Sequence, residues 1–486
     1  MVVVLSLISG FIAYAAFAPI GLWWCAPIAL ALLIHLLNDP LIKKRLLAVV
    51  LFGIAFFGPL LAWSNTYVGD IPWIILTTLQ VVLMTPLALL PMSSTRNLLL
   101  FPSLWIGVEY LRGHFPFNGF GWGRGAFSQA DAPYAQVAHI GGAPLLSFVV
   151  AVIGLVIYLA FKRKLVPALF LAAAVIAISF SANLTTPPLA KKNFLVLAVQ
   201  GGVPTLGLDF NSRATAVFEN HLQTTENFLA RQTVKPNVVL WPENSIDVDP
   251  FKDLRVRSQL QSLSDRFNVP LIVGAVLQDG ANFQNASILW EPKIGPTSIY
   301  IKRHLTPFGE YIPLRSIAEM VSPYARNVVD FLPGHKIVIH KVGLARFAPI
   351  ICFELLDDAA DRAMARGSNV FVVQTNSATF GRSPESDQQL GITRIRAIEH
   401  QRYAVSISTS GVSALVDPWG RITHRTKQDQ SAVIEASIGL ENSISMADQY
   451  GSEIEFLLIL FPLLLAAIGS VGSLRSRRIR RQEISQ

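Results

Sequence analysis

Three polar residues whose side chains could act together in covalent catalysis each end an apolar stretch of the sequence. Glu243 ends VVLWPE, Lys302 ends SIYIK and Cys352 ends FAPIIC. A carboxylate can take the proton of a thiol, the thiolate can attack a carbonyl carbon, and an ammonium can stabilise both the thiolate and the oxyanion. A thiol with a pKa of ~8.5 is mostly protonated at neutral pH and needs such neighbours. Spacing alone also allows an ion pair at a sheet edge beside a buried cysteine.

Predicted strands and helices alternate in the part of the chain that carries these three residues. Near-continuous apolar runs separated by amphipathic stretches predict an α/β sheet that is covered on both faces. Ligands of such sheets bind at the carboxyl ends of the strands, so Glu243, Lys302 and Cys352 are predicted to meet there. The predicted strands are 194–200, 237–243, 270–277, 285–290, 297–302, 345–353 and 369–376, and the predicted helices are 213–232, 254–268, 358–366 and 384–401.

The composition indicates a membrane protein that carries one large polar domain. Of the 486 residues, 52% are hydrophobic and 15% are charged, and the mean hydropathy is +0.45. The formal charge is +8, but residues 191–450 hold 26 Lys and Arg against 25 Asp and Glu. A nearly neutral middle region has no basic surface for a phosphate backbone, so we expect no nucleic-acid partner. The positive excess lies beside apolar segments, where it indicates membrane topology.

Most of the long apolar segments approach the ~20 residues that a helix needs to cross a bilayer. The predicted spans are 2–19, 21–37, 46–63, 72–92, 97–112, 144–161, 165–182 and 454–472. With eight spans, the basic residues within 43–45, 96, 162–164 and 475–481 all fall on one face. The positive-inside rule makes that face the cytoplasm.

The chain therefore divides into four parts in this interpretation. Seven transmembrane helices occupy 1–184, an extracytoplasmic catalytic domain 185–452, an eighth transmembrane helix 453–473 and a basic cytoplasmic tail 474–486. These spans predict a multi-pass membrane protein with both termini in the cytoplasm.

An outer loop, 113–143, contains the glycine-rich run GFGWGRG. No predicted strand precedes this run, so it is not a nucleotide-binding loop, and we expect Phe120 and Trp122 at the level of the lipid headgroups. Glu109 and Arg112 near the outer end of the fifth span are either paired, snorkelling or functional. Cys25 lies inside an apolar run and is expected only to pack, which leaves Cys352 as the candidate reactive thiol.

The segments around the three polar residues carry a resemblance to a known superfamily. WPE at 241–243, KRHLTPFGE at 302–310 and ICFE at 351–354 resemble the three signatures of the nitrilase superfamily. Their setting between seven spans and one span resembles the apolipoprotein N-acyltransferase family, from about residue 10 to residue 472. The shared motifs also include FPFNGFGWG, VQGGVP, TNSATFG and RIRAIE.

This resemblance implies an αββα sandwich inserted in a bundle of eight transmembrane helices. It implies that Glu243 is the general base, Lys302 the partner of the thiolate and the oxyanion, and Cys352 the nucleophile. The Phe353 backbone N–H then becomes a second oxyanion donor.

Two further glutamates match functional positions of the family. Glu310 matches its second acidic active-site residue. Glu354 matches another important glutamate, and strand alternation is expected to place it on the same face as Cys352. Hydrogen bonding within the scaffold is the alternative role for both glutamates.

The sequence departs from the family pattern at a few positions. Phe353 stands where many members have tyrosine, and Thr379 stands where tryptophan is common. A tryptophan often found after the QGxxP motif is absent, with Asp209 and Phe210 nearby. These departures concern acyl-lipid selectivity and not the catalytic set.

The reaction implied by the resemblance is a two-step acyl transfer. A membrane phospholipid donates a fatty acyl chain to Cys352, and the α-amine of the diacylglyceryl-cysteine of an apolipoprotein accepts it. The reaction needs no cofactor and no metal, and the nine His show no paired ligand spacing. The apolar side chains of Phe308, Tyr311, Ile312 and Leu314 either guide lipid tails or form a packed loop.

Two other functions remain open from the sequence. The enzyme alternative is a membrane-tethered amidase that transfers to water. The non-enzyme alternative is a transporter or sensor with an inactive nitrilase-like domain.

Overall fold

The chain begins with a bundle of apolar helices. In the computed structural model, which describes residues 1–66, 69–186, 190–204, 215–321, 326 and 329–460, seven α-helices precede the first strand. They are α1 (Val2–Ala15), α2 (Cys25–Leu36), α3 (Ile42–Leu60), α4 (Asp70–Met84), α5 (Thr95–His114), α6 (Ala138–Phe161) and α7 (Leu165–Thr185). Helix α1 packs on α2 and α3, and α6 packs on α2, α5 and α7. Cys25 is buried in this bundle, as its apolar surroundings predict.

Part of this bundle is long and apolar enough to cross a membrane. Within the described residues, three stretches qualify by length and composition, namely Asp70–Ala88, Ala135–Phe161 and Leu165–Thr185. Helices α1 and α2 are apolar but shorter, and α3 and α5 each carry three charged residues. Of the last predicted span, the residues up to 460 are helical. The rest of that span and the predicted basic tail lie outside the described residues.

The middle region forms two sheets of mixed strand direction. Over the described ranges, the strands are β1 (Phe194–Gln200), β2 (Val238–Leu240), β3 (Leu271–Asp279), β4 (Asn282–Glu291), β5 (Gly295–Ile301), β6 (His340–Val342), β7 (Ala345–Ile351), β8 (Val370–Thr375), β9 (Tyr403–Ser408), β10 (Ala414–Val416), β11 (Ile422–Arg425) and β12 (Ala432–Ile438). One sheet has the order β12-β1-β2-β3-β4-β5 and the other β11-β10-β9-β8-β7-β6. The pairs β1–β2, β2–β3, β7–β8 and β8–β9 are parallel, and the other neighbours are antiparallel.

The two sheets pack face to face, and helices cover the outer faces. Apolar residues such as Val196 and Leu240 of the first sheet share a core with Phe347 and Val405 of the second. The remaining helices are α8 (Ala216–Leu229), α9 (Leu254–Phe267), α10 (Arg315–Val321), α11 (Asp358–Gly367) and α12 (Glu385–His400). Helices α8 and α9 lie on the first sheet, and α11 and α12 lie on the second. The αββα sandwich that the resemblance implies is confirmed.

Helix α12 joins the sandwich to the helical bundle. The core on the outer face of the second sheet is continuous with the core of the bundle, and α12 packs on α6. The side chain of Gln388 accepts hydrogen bonds from the indole N–H groups of Trp63, at 3.2 Å, and Trp122, at 2.7 Å. Its amide donates to the Ala18 and Leu60 carbonyls, each at 3.2 Å. One side chain therefore ties three segments of the bundle to the sandwich.

The outer loop is more deeply buried than its sequence predicts. Trp122 is only 4% exposed, so its ring is enclosed by the protein and does not face lipid headgroups. Glu109 accepts hydrogen bonds from the indole of Trp105 and from a loop N–H. Arg112 donates to Gln80 at 2.6 Å and to the Trp122 carbonyl. Both charged residues are therefore hydrogen-bonded inside the bundle, where they hold the loop.

Candidate active site

The three predicted residues all lie just beyond strand ends, but on two different sheets. Glu243 follows β2 and Lys302 follows β5 in the first sheet, whereas Cys352 follows β7 in the second. The Glu243 backbone runs so close to Gly274 that a Cβ there would lie 2.7 Å from the Glu243 Cα. The Lys302 N–H donates to the Asn285 carbonyl at 2.8 Å. Both sheets thus contribute to one site through their strand ends.

An ammonium and two carboxylates form the centre of the site. The Lys302 Nζ atom lies 2.8 Å from Glu310 Oε2 and 3.4 Å from Glu243 Oε1. The side chains of Lys302 and Glu243 are 1% and 6% exposed, so water screens these charges little. The Thr306 N–H also donates to Glu310 Oε2 at 2.8 Å. The structure therefore brings Glu243, Lys302 and Glu310 together as the sequence predicts.

Asn285 is a member of the site that the sequence analysis missed. Its Nδ2 atom donates to Glu243 Oε1 at 2.6 Å and to Glu310 Oε1 at 2.9 Å. It is 1% exposed and lies on β4, next to the strand that leads to Lys302. The only signal in the sequence was an amide at the start of an otherwise apolar predicted strand, NASILW. One amide thus fixes the distance between the two carboxylates.

The nucleophile candidate Cys352 has an unusual backbone conformation. Its φ is +52°, in the left-handed region that residues other than glycine rarely adopt. It begins a 3-10 turn, Cys352–Leu356, directly after β7. The Gln389 amide lies 3.6 Å from the Cys352 Sγ atom. A tight turn of this kind holds the half-buried thiol at the strand end, and such conformations concentrate at functional sites.

Burial and neighbouring charges determine how these groups hold protons. Burial raises the pKa of Glu243, and Lys302 only partly offsets this effect. Burial lowers the pKa of Lys302, but Glu310 and Glu243 together raise it above its ordinary value. Burial and Glu243 raise the pKa of the Cys352 thiol well above its ordinary value. The resting site therefore holds a thiol and an ammonium, and the thiol needs a base in order to react.

Glu354 accepts hydrogen bonds from the backbone around the site, and its position does not follow from strand alternation. The strand-alternation argument is wrong because β7 ends at Ile351. Glu354 Oε2 instead accepts from the Ile351 N–H at 2.9 Å, and Oε1 accepts from Tyr300 and from the Arg303 N–H, each at 2.7 Å. The carboxylate therefore ties the turn after β7 to the segment that carries Lys302.

The residue after Cys352 contacts the outer loop. Phe353 is 4% exposed, and its ring stacks with that of Phe120 at 5.9 Å between centroids. His304 packs on the other side at 5.5 Å, with its Nδ1 atom 3.1 Å from Asp357. The loop of the helical bundle thus reaches the residue next to the thiol.

The remaining predictions on individual residues have mixed outcomes. Phe308 and Leu314 are 54% and 62% exposed, whereas Ile312 is buried. The apolar segment after Lys302 therefore exposes only some of its side chains at the surface. Thr379 lies in the 3-10 turn Ala378–Phe380. Asp209 and Phe210 lie outside the described residues. Among the described residues, no group of three or more His, Cys, Asp or Glu could hold a metal ion.

Comparison with known proteins defines first the class and then the family. Residues 198–448 match the family described as Carbon-nitrogen hydrolase. This match and the two packed mixed sheets define a nitrilase-type fold joined to a helical N-terminal region. A variant of an amidase of the nitrilase superfamily from Nesterenkonia AN1 aligns with a TM-score of 0.42 at 12% identity, covering 56% of this chain and 98% of that one.

The match of the helical part and the relatives that align along most of the chain identify a narrower family. Residues 9–156 match the family described as Apolipoprotein N-acyltransferase N-terminal domain. An apolipoprotein N-acyltransferase of Mycolicibacterium smegmatis is 33% identical, over 97% of this chain and 86% of that one. Another, of Geobacter metallireducens, is 28% identical over 82% of each chain. The chain belongs to the apolipoprotein N-acyltransferase family.

Proposed function

We propose that this protein transfers a fatty acyl chain from a membrane phospholipid to the α-amine of diacylglyceryl-cysteine in apolipoproteins, which completes lipoprotein maturation. The observation that carries the proposal is the placement of Glu243, Lys302 and Cys352 just beyond the ends of β2, β5 and β7, directly against an apolar helical bundle. One chain supplies all of these groups, and we infer that it acts as a monomer.

The first half-reaction forms a thioester. Glu243 takes the proton of the Cys352 thiol, and the thiolate attacks the ester carbonyl of the phospholipid. Lys302 and the Phe353 N–H stabilise the oxyanion. The carbon–oxygen bond to glycerol then breaks, and Glu243 returns the proton to the leaving alkoxide, which departs as lysophospholipid.

The second half-reaction forms an amide. The uncharged α-amine attacks the thioester carbonyl, the carbon–sulfur bond breaks, and Glu243 carries a proton from the nitrogen to the departing thiolate of Cys352. In this scheme Glu310 neutralises and positions Lys302, while Glu354 holds the turn around the nucleophile. The chain's own side chains supply each of these steps.

We further infer the topology of the chain in the bacterial cytoplasmic (inner) membrane. Eight spans, seven within 1–184 and one at 453–473, would leave 185–452 on the extracytoplasmic side and 474–486 in the cytoplasm. The one-sided distribution of Lys and Arg in the short loops supports this arrangement.

Thiol labelling can test this topology. In a chain without Cys25 and Cys352, a membrane-impermeant thiol reagent added to intact spheroplasts should label Lys293→Cys but not Lys164→Cys. Both positions are exposed, so accessibility within the protein is matched. Labelling of position 164 without labelling of position 293 would place the domain in the cytoplasm and contradict the lipoprotein assignment.

The acceptor distinguishes this function from hydrolysis. Mass spectrometry of a lipoprotein N-terminus from cells with and without this protein should show an N-linked acyl chain only when the protein is present. Free fatty acid together with an unmodified α-amine would instead identify an amidase or esterase that transfers to water.

A further inference from the structure

Glu385 is a buried carboxylate near the nucleophile that the mechanism above does not use. It is the first residue of α12 and is 2% exposed. Its Oε2 atom has no hydrogen-bond partner within the described part of the chain, whereas the Ser377 hydroxyl is hydrogen-bonded to the carboxylate. A buried carboxylate oxygen without a partner is costly. Such an oxygen indicates that another group, such as a ligand, completes its hydrogen bonding.

The geometry of α12 directs this carboxylate toward the thiol. Residues four apart on a helix lie on the same face. Gln389, four residues after Glu385, has its amide 3.6 Å from the Cys352 Sγ atom. The charge of Glu385 also acts on the Cys352 thiol, and that of Glu243 acts on Glu385. Glu385 therefore lies on the face of α12 that contacts Cys352 through Gln389.

The other acidic groups of the pocket already have partners. Glu310 is ion-paired with Lys302 at 2.8 Å. Glu354 accepts hydrogen bonds through both oxygens, from Tyr300 among others. Glu385 thus differs from both, because one of its oxygens remains available.

The chemistry of an amine acceptor requires one more base than ester cleavage does. An α-amine with a pKa of ~7.7–8.0 is largely an ammonium ion at neutral pH. It must lose one proton before it can attack and a second proton as the amide forms. The general base passes the second proton to the departing thiolate, so the two half-reactions together release one proton. Either solvent or a second group of the enzyme takes that first proton.

We propose that Glu385 binds the protonated α-amine of the acceptor and takes its first proton, which leaves Glu243 to transfer the second proton to the Cys352 thiolate. The step breaks one N–H bond and forms one O–H bond on the Glu385 carboxylate, which later gives the proton to solvent. This inference rests on the proposed function, because water as an acceptor would need no such group.

The electrostatic surroundings of Glu385 suit this exchange. Burial raises the pKa of Glu385 to about 8, with the Ser377 hydrogen bond lowering it and the charges of Glu243 and Asp387 raising it. The charged and titratable groups that act on it are Glu243 beyond β2, Cys352 beyond β7 and Asp387 on its own helix. At pH 7 a carboxyl group with this pKa is mostly protonated, and the charge of an ammonium ion beside it favours the ionised form. Because the two pKa values are close, the proton can then pass between the two groups at little free-energy cost.

The test measures the rates of the two half-reactions separately in the Glu385→Gln variant. Phospholipid alone should acylate this variant at about the parent rate, because the proposed proton transfer from the acceptor comes after thioester formation. Transfer to a diacylglyceryl-cysteine peptide at pH 7 should fall by roughly 10²-fold, as for the loss of a general base. The deficit should shrink above pH 8, where the free amine is uncharged. Hydroxylamine, which is uncharged at neutral pH, should cleave the thioester of both proteins at similar rates.

The control is Glu226→Gln, which makes the same chemical change at a surface carboxylate of α8 that is paired with Arg266. It should leave both half-reactions within about twofold of the parent, as for surface changes of up to ±0.5 kcal/mol. Normal peptide transfer by Glu385→Gln, or a deficit that is independent of pH and shared by hydroxylamine, would overturn the inference. Failure of the parent enzyme to form any thioester would instead overturn the proposed function.

A second variant tests the proposed role of Glu385 if Glu385→Gln does not fold. Ser377→Ala keeps the carboxylate but removes the hydrogen bond that lowers the pKa of Glu385. The acid limb of peptide transfer should therefore move to higher pH, while the acid limb of thioester formation stays in place. An unmoved limb in peptide transfer would contradict the inference.

Discussion

The Lys302 ammonium lies closer to Glu310 than to Glu243, with its Nζ atom 2.8 Å from Glu310 Oε2. Lys302 lowers the pKa of Glu310 below its ordinary value despite burial, whereas the pKa of Glu243 is raised. The two carboxylates therefore have different tasks. Glu310 stays ionised and holds the ammonium, and Glu243 remains basic enough to take a proton from a thiol.

The first prediction concerns Glu310→Gln, which removes the charge with little change in volume. Lys302 would then pair mainly with Glu243 and weaken it as a base. We expect a fall in acyl transfer of roughly 10²-fold or more, with the fold retained. Thermal unfolding and turnover should be measured together, with Glu291→Gln on the rim of β4 as a control. Unchanged melting with near-normal turnover would show that Glu310 only makes hydrogen bonds within the scaffold.

The second prediction concerns the pH dependence of thioester formation. Glu243 must be ionised to act as a base. Its raised pKa places the acid limb of the pH–rate profile above ~4.3, the pKa of an ordinary glutamate. The Asn285 hydrogen bond lowers the pKa of Glu243. Asn285→Ala should therefore raise this pKa further and move the acid limb to higher pH. Asn282→Ala, on the same strand, should leave the limb in place, and an unmoved limb in both variants would contradict this role for Asn285.

The third prediction concerns the connection between the sandwich and the bundle. Gln388→Leu leaves the indole N–H groups of Trp63 and Trp122 and two carbonyls without their partner. Each unsatisfied buried group costs about 1–3 kcal/mol, so we expect a clearly lower melting temperature in detergent. Gln278→Leu at an exposed position should have an effect within about ±0.5 kcal/mol. Equal melting of both variants would show that Gln388 does not hold the two parts together.

The fourth prediction compares two aspartates whose ion pairs have similar lengths but different burial. Asp358 is 2.6 Å from both Arg124 and Arg396 in the interior, and Asp387 is 2.6 Å from Arg425 at the surface. Asp358→Asn leaves two buried cations without their shared anion, which should cost about 3–5 kcal/mol. Asp387→Asn should cost about 0–1 kcal/mol. Chemical denaturation of both variants measures the difference, and similar losses would contradict the structural role of the buried cluster.

Much of the sandwich could be predicted because its strands are buried on both faces. Such strands appear as short apolar runs, and the polar residue that ends a run marks the edge of the sheet. Glu243, Lys302 and Cys352 were visible for this reason. The end of β7 was harder to predict, because the chain turns at Cys352 and does not continue as a strand. The resulting tight turn, and not alternation, determines where Glu354 points.

The residues that support the site could not be predicted in the same way. Asn285, Glu385 and Gln388 are polar residues on elements whose neighbours were unknown, and their roles depend on contacts between distant parts of the chain. Trp122 was misplaced for the same reason. An aromatic residue in an outer loop resembles a membrane-interface residue unless the surface that covers it is known. The covering surface is α12, more than 250 residues later in the sequence.

The central claim is that Cys352 carries the acyl chain between the two substrates. Intact-protein mass should be measured after incubation with detergent-solubilised phospholipid and no acceptor. We predict a mass increase of one acyl group, an equal amount of lysophospholipid, and removal of the group by neutral hydroxylamine. Cys352→Ala should abolish the adduct, Cys25→Ala should retain it, and Glu243→Gln should slow its formation by roughly 10²–10⁴-fold. An unchanged mass of the parent enzyme, alongside normal transfer to an acceptor peptide, would contradict covalent catalysis at Cys352.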